Sequence, residues 1–164
     1  MHIRNATTAD IPLIRELTMQ VWPQTYLPIV GEVQVQYMLD QFYNPAALQK
    51  QMEEQGHQFV TGYDAGVPVA FASYNETAST IYKLQKLYII NGQQGKGTGK
   101  ALVQHIVNAV RALGATELRL NVNRYNTSAM AFYERMGFTR LAEEDIAIGN
   151  GYFMNDYVLQ MALK

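Results

Sequence analysis

Residues 93–100 read QQGKGTGK, with glycines at the alternate positions Gly95, Gly97 and Gly99, and they join the apolar run LYII to the helical pattern ALVQHIVNAVRAL. A strand that ends in such a loop and restarts as a helix commits the chain to a βα unit, whose helix must lay its apolar stripe on the sheet. The stripe is present: Leu102, Val103, Ile106, Val107, Val110 and Leu113 recur at three and four residues before Gly114 stops the pattern. The first turn of a helix leaves backbone N–H groups unpaired at the positive end of the helix dipole, and glycine lets an anion approach them closely. The loop therefore reads as a phosphate site, with a plain flexible turn as the alternative. Two common phosphate loops fail on spacing. GxxxxGK[ST] needs glycine at Gln94 and Ser or Thr at Ala101, and GxGxxG needs glycine at Lys100 or Leu102.

The rest of the chain supplies the sheet and its other helices. HIRNA is a short strand, and Thr7 or Thr8 caps a helix carrying Ile11, Ile14, Leu17 and Val21 on one face. Pro23 and Pro28 are expected to end it in the aromatic loop VWPQTYLP, after which a second helix carries Val33, Tyr37 and Met38 on one face. NPAALQKQMEEQG predicts a third helix, with Asn44 as its cap, Pro45 in its first turn and Gly56 beyond its end. HQFVTGY and VPVAFASYN flank Asp64-Ala65-Gly66 as a hairpin, and TIYKLQKLYII is the strand that leads to the glycine loop. In that strand Tyr82 and Leu84 share one parity while Leu87 and Ile89 share the other, so the apolar face changes near Lys86. A β-bulge produces such a slip, and a strand buried on both faces tolerates it. ELRLNVN alternates as a strand, NTSAMAFYERMG is a capped helix from Asn126 to Gly137, and FTRLAEEDIAI with FMNDYVLQMAL close the sheet as an antiparallel pair.

Composition removes whole classes of function. The 164 residues are 48% hydrophobic with no repeat or linker, so one domain over 1–164 is expected. The absence of cysteine excludes a thiol nucleophile, a disulfide framework and cysteine metal sites, and the three histidines have no ligand-spaced partner, so no metal is expected. A net charge of -1 argues against nucleic acid, and no apolar run nears the roughly 18 residues of a membrane span; the expected location is the cytoplasm.

Gln94, Gly97 and Gly99 satisfy the pattern Q/R-x-x-G-x-G/A. With KLYII, LRLNVN, NTSAMAFYERMGF and NDYVLQMAL following in order, the chain resembles the GNAT superfamily of acetyl-CoA-dependent N-acetyltransferases, over residues 80–163 by motif and over the first half by element order. The resemblance implies an α/β (α+β) fold with a single mixed, mostly antiparallel sheet of about seven strands flanked by helices, and a bulge in the fourth strand that splays it from the fifth to admit a pantetheine arm. It assigns the backbone of Leu87, Tyr88 and Ile89 to the pantetheine amides, and the N–H groups of Gln94, Gly95, Lys96, Gly97, Thr98 and Gly99 to the pyrophosphate. Lys96 or Lys100 adds charge toward the phosphates or is simply solvated. Asn126 matches the asparagine that hydrogen-bonds the cofactor arm, and Tyr133 the tyrosine that protonates the departing thiolate.

The resemblance leaves the general base open, because Gln85 stands where many relatives have a glutamate; His57, Glu117, Asp145 and Asp156 are the candidates. Trp22, Tyr26 and Tyr74 are expected near the acceptor, with Asp156 and the acidic Glu143-Glu144-Asp145 attracting a cation, or else these aromatics are core and these charges solvated. The stretch VWPQTYLPIVGEVQVQYML, with NDYVLQMAL, is similar to a bacterial branch that includes polyamine acetyltransferases. The expected function is direct transfer of acetyl from acetyl-CoA to a primary amine of a small molecule, a polyamine among the candidates. Its rivals are acetylation of a protein N-terminus or lysine, and a non-catalytic acyl-CoA sensor. Pairing with a second copy is left open.

Overall fold

The computed structural model describes residues 1–93 and 95–163. Its elements are β1 (His2–Ala6), a 3-10 turn (Thr8–Asp10), α1 (Ile11–Phe42), α2 (Pro45–Glu53), β2 (Gln58–Asp64), β3 (Val67–Ala78), β4 (Ile81–Ile89), α3 (Thr98–Ala112), β5 (Glu117–Asn123), α4 (Thr127–Arg135), β6 (Thr139–Gly149) and β7 (Tyr152–Ala162). The strands form one seven-stranded sheet in the order β1-β2-β3-β4-β5-β7-β6, the mixed α/β architecture expected from the sequence. β4 and β5 are parallel, because α3 carries the chain back across the sheet between them. The pairs β1/β2, β2/β3, β5/β7 and β6/β7 are antiparallel. Two compact units divide the chain, one of Met1–Asn75 with Gln85–Ile106, the other of Glu76–Leu84 with the residues from Val107 onward.

In the first unit a reciprocal cap starts the helical run: Ala9 N–H donates to Thr7 Oγ1 at 3.3 Å and Thr7 N–H to Asp10 Oδ2 at 2.8 Å. Ile11, Ile14, Leu17, Val21 and Trp22 then bury along one face of α1, as their spacing predicts. Pro23 and Pro28 do not end the helix; both lie inside α1, and the break comes at Gly31, with φ 82 and ψ 166. A proline inside a helix costs about 3 kcal/mol by itself. Packing offsets this at Pro23, where Trp22 and Tyr26, one turn apart, lie with ring centroids 4.4 Å apart and planes tilted by 43°, and Trp22 lies edge-on to Tyr43 at 5.3 Å. Gly31, not proline, adopts the backbone conformation that only glycine takes without strain. The second helical run matches its expected face only in part: Met38 is buried and Tyr37 half-buried, but Val33 is 73% exposed, and Val35 and Leu39 are buried in its place. Arg15 Nε donates to Tyr43 O at 3.0 Å, holding the end of α1 to its beginning. α2 starts as expected, with Ala47 N–H donating to Asn44 Oδ1 at 2.7 Å.

The second unit is built on β5, whose Leu118, Leu120 and Val122 are buried on one face. The opposite parity places Arg119, Asn121 and Asn123 in register with Gln160, Val158 and Asp156 of β7. Register shifts among the described pairs fall at Gly62/Tyr63, Arg140/Ala142 and Ala147/Gly149. In β4 the described pairs with β5 run from Ile81↔Glu117 to Leu84↔Leu120, so the ladder ends just before the parity change at Lys86.

Candidate active site

The glycine loop of the first unit folds as an open cradle at the start of α3. Gly95 and Gly97 have φ of 81 and 79, and a Cβ built on either meets nothing within 4 Å. Lys96 N–H closes a turn onto Gln93 O at 3.3 Å, and Ala101 N–H takes Gly97 O at 3.0 Å as the helix begins. Thr98 and Gly99 are buried while Gly95, Lys96, Gly97 and Lys100 are exposed, so the accessible side of the loop is backbone and lysine. Gln94 lies outside the described residues. An open, glycine-lined helix start with two cations beside it fits a diphosphate.

Upstream of the loop, β4 offers backbone groups. Ile90 N–H donates to Val69 O of β3 at 2.9 Å. Backbone groups alternate sides along a strand, so those of Tyr88 also face β3, whereas those of Leu87 and Ile89 face away from it. The described β5 ladder stops at Leu84, and no described strand pairs with Leu87 or Ile89 on that side. Two strand-edge N–H/C=O sets are thereby presented to an extended, amide-bearing ligand. The side chain of Tyr88 turns into an aromatic cluster, its ring centroid 5.5 Å from Phe71, 6.0 Å from Trp22 and 6.5 Å from Tyr43. Trp22, only 3% exposed, is a core member of this cluster; Tyr26 is half-buried and Tyr74 is buried.

Tyr43 was not singled out by sequence pattern, yet it organises the cluster. Burial pushes its hydroxyl's pKa well up, opposed by hydrogen bonding with Tyr88 and by Trp22. Lys86 Nζ stands 5.0 Å from the Tyr43 ring centroid, in cation–π range. The available signal was positional: Tyr43 directly precedes the cap Asn44, where an apolar residue commonly staples a helix start against a residue such as Leu48.

In the second unit, Asn126 caps α4, its Oδ1 accepting from Ala129 N–H at 3.4 Å and Ser128 Oγ at 3.3 Å. The oxygen is committed to the helix, and the side-chain N–H groups have no partner among the described residues. Tyr133 lies seven residues on, two turns along the same face, half-buried with its ring edge-on to Phe132 at 5.1 Å and to Phe138 at 5.7 Å.

The candidate bases separate clearly. Gln85 Nε2 donates to Asn75 Oδ1 at 3.0 Å, and Asn75 Nδ2 to Gln55 O at 3.1 Å, a structural relay in the first unit. His57 is buried and stacked on Phe59 at 6.1 Å. Glu117 is paired with Arg119 at 2.7 Å, and Asp145 with Arg124. Asp156 is different: it is 4% exposed, its Oδ2 accepts from Asn121 Nδ2 at 3.3 Å, and its buried Oδ1 has no hydrogen-bond partner among the described residues. Burial raises its pKa above the ordinary aspartate value, opposed by the Asn121 hydrogen bond and by Lys83.

An acetyltransferase (GNAT) domain matches residues 26–159. The chain belongs to the GNAT acetyltransferase family. It is thus an enzyme that uses acetyl-CoA, and the open glycine cradle fits the cofactor's diphosphate. Among GNAT relatives it is 28% identical over 155 residues to the uncharacterized N-acetyltransferase YjgM of Escherichia coli (strain K12), covering 88% of this chain and 90% of that protein. It is 45% identical over 60 residues, 35% of this chain and 41% of the other, to a 5-NmdU N-acetyltransferase of Pseudomonas phage PaMx11. The fold matches that of the PaiA N-acetyltransferase from Thermoplasma acidophilum in complex with coenzyme A, with TM-score 0.82, 21% identity and 98% of each chain covered. No described helix is long and apolar enough to cross a membrane, and no metal-binding group of side chains occurs among the described residues.

Proposed function

We propose that this GNAT enzyme acetylates a primary amine on a small molecule by direct attack, with residues 1–164 acting as one catalytic domain. The observation that carries the reading is the buried carboxylate of Asp156 with an unused oxygen, since a cationic amine is the ligand that such a group recognises. At 4% exposure it suits a slender amine-bearing arm better than a bulky surface. Acetyl-CoA supplies an acetyl group activated as a thioester. Gly95 to Gly99 would hold the diphosphate through backbone N–H groups, with Lys96 and Lys100 adding charge. Leu87 and Ile89 would hold the pantetheine amides, and one of their N–H groups would polarise the thioester carbonyl. The Asn126 amide would donate to the same arm. Tyr133 Oη would donate a proton to the leaving sulfur, the phenol being a competent acid toward a thiolate when held within hydrogen-bond reach.

The test is release of free thiol from acetyl-CoA with mass detection of the product, over a panel of spermidine, 1,4-diaminobutane, an aminomethyl nucleoside, an amino sugar and a peptide with a free N-terminus. Turnover of one or more of the small amines, well above the peptide, is expected. Turnover of the peptide alone would move the acceptor to proteins, and acetyl-CoA binding without turnover of any of them would overturn the small-amine assignment.

A further inference from the structure

We propose that Asp156 takes the proton from the acceptor's ammonium group through its unused carboxylate oxygen Oδ1. The inference deepens the proposed function and rests on it. Leaving a buried carboxylate oxygen without a donor costs free energy, so a fold that merely needed a side chain here would be better served by a neutral one. The site is also placed for chemistry. Asp156 lies opposite Asn123 at the end of β5, Asn123 O accepts from Asn126 N–H at 3.0 Å, and Asn126 begins the helix that carries Tyr133. Within this unit the other acids considered are spent in ion pairs.

The charged groups that act on Asp156 come from three elements. Lys83 of β4 and Arg124 just after β5 favour its charged form, while Glu144, its register partner on β6, disfavours it. Burial outweighs them and makes the carboxylate a stronger base than an ordinary aspartate, closer in pKa to the amine that it must deprotonate. The bonds balance. One ammonium N–H bond breaks and its proton forms an O–H bond on Oδ1, leaving the electron pair on nitrogen to form the C–N bond as the C–S bond breaks. The sulfur takes the Tyr133 proton, and the second proton that nitrogen sheds restores the phenol. Asp156 then passes its proton to solvent, so the ammonium loses two protons in all, one ending on the thiol and one in water.

The test compares wild type with Asp156→Asn, using whichever panel amine the wild type turns over best. Wild-type kcat/KM should rise along an acid limb set above the usual aspartate range. Asp156→Asn should lose that limb and fall roughly a hundred-fold near neutral pH, the deficit shrinking as pH approaches the amine's own pKa and the free base becomes abundant. Asp156→Glu should recover part of the rate, and acetyl-CoA affinity should hold in both. An unchanged pH profile in Asp156→Asn overturns the proposal. A second readout needs no activity. A raised folded pKa means that the penalty for burying this carboxylate is absent below the ordinary aspartate pKa and complete above the folded one. Asp156→Asn should therefore gain thermal stability relative to wild type at neutral pH, and that gain should vanish on acidification. Should the variant fail to fold, side-chain carboxyl carbon NMR of the wild-type protein decides: one aspartate titrating above the usual range and shifting on addition of the amine is expected, and its absence overturns the assignment. A wild type inactive on every amine would instead sink the proposed function, which keeps the two failures apart.

Discussion

Tyr133 and Gly97 carry opposite kinds of argument at the scale of a residue, one chemical and one conformational. Tyr133→Phe keeps the ring edge-on to Phe132 and Phe138 and removes only the hydroxyl. We expect kcat to fall roughly a hundred-fold or more with acetyl-CoA affinity nearly unchanged; lost stability at normal kcat would make this a packing tyrosine. At Gly97 a side chain meets no atom of the protein, yet φ of 79 strains any residue with a Cβ, and a branched one would fill the space that the diphosphate needs. Gly97→Val should therefore keep its circular dichroism and lose acetyl-CoA binding in calorimetry. Full affinity in a folded variant would remove the loop from the site. Spacing alone marked this glycine, because Gly-x-Gly before an apolar helical stripe is a local pattern. Asp156 was one of four candidate bases in the sequence. Only the fold separates them, since burial and the spending of Glu117 and Asp145 in ion pairs are properties of partners that sequence order does not reveal.

The elements show where local rules suffice. Alternation placed β5, stripe spacing placed α3, and the caps Thr7, Asn44 and Asn126 all accept the backbone N–H groups that their positions predict. The rule that proline ends a helix failed in α1, because the rule is local whereas Trp22, beside Pro23, packs on Tyr43 and Tyr88, both distant in sequence. Gly31 is the true hinge, in a conformation that costs other residues about 1–3 kcal/mol. Gly31→Ala should lower stability by about that amount while leaving turnover intact. A neutral or stabilising effect in denaturant unfolding would mean that the two helical runs can merge. The end of the β5 ladder at Leu84 was likewise beyond sequence pattern, which recorded a change of parity but not which partner is lost there.

For the whole molecule, cofactor binding should appear as stability. A ligand that binds only the folded chain at a hundred times its Kd adds about 2.7 kcal/mol, worth roughly 5–10 °C in Tm for a chain of this size. Acetyl-CoA should raise the melting temperature of the wild type and of Tyr133→Phe alike, and leave Gly97→Val unmoved; a wild type without such a shift would contradict the use of this cofactor. The end of the β5 ladder at Leu84 carries one more consequence, legible in deuterium uptake. The amides of Leu87 and Ile89, turned away from β3, should exchange quickly in the free protein while their neighbours Tyr88 and Ile90 exchange slowly, and saturating acetyl-CoA should erase that odd–even rhythm by slowing the fast pair alone.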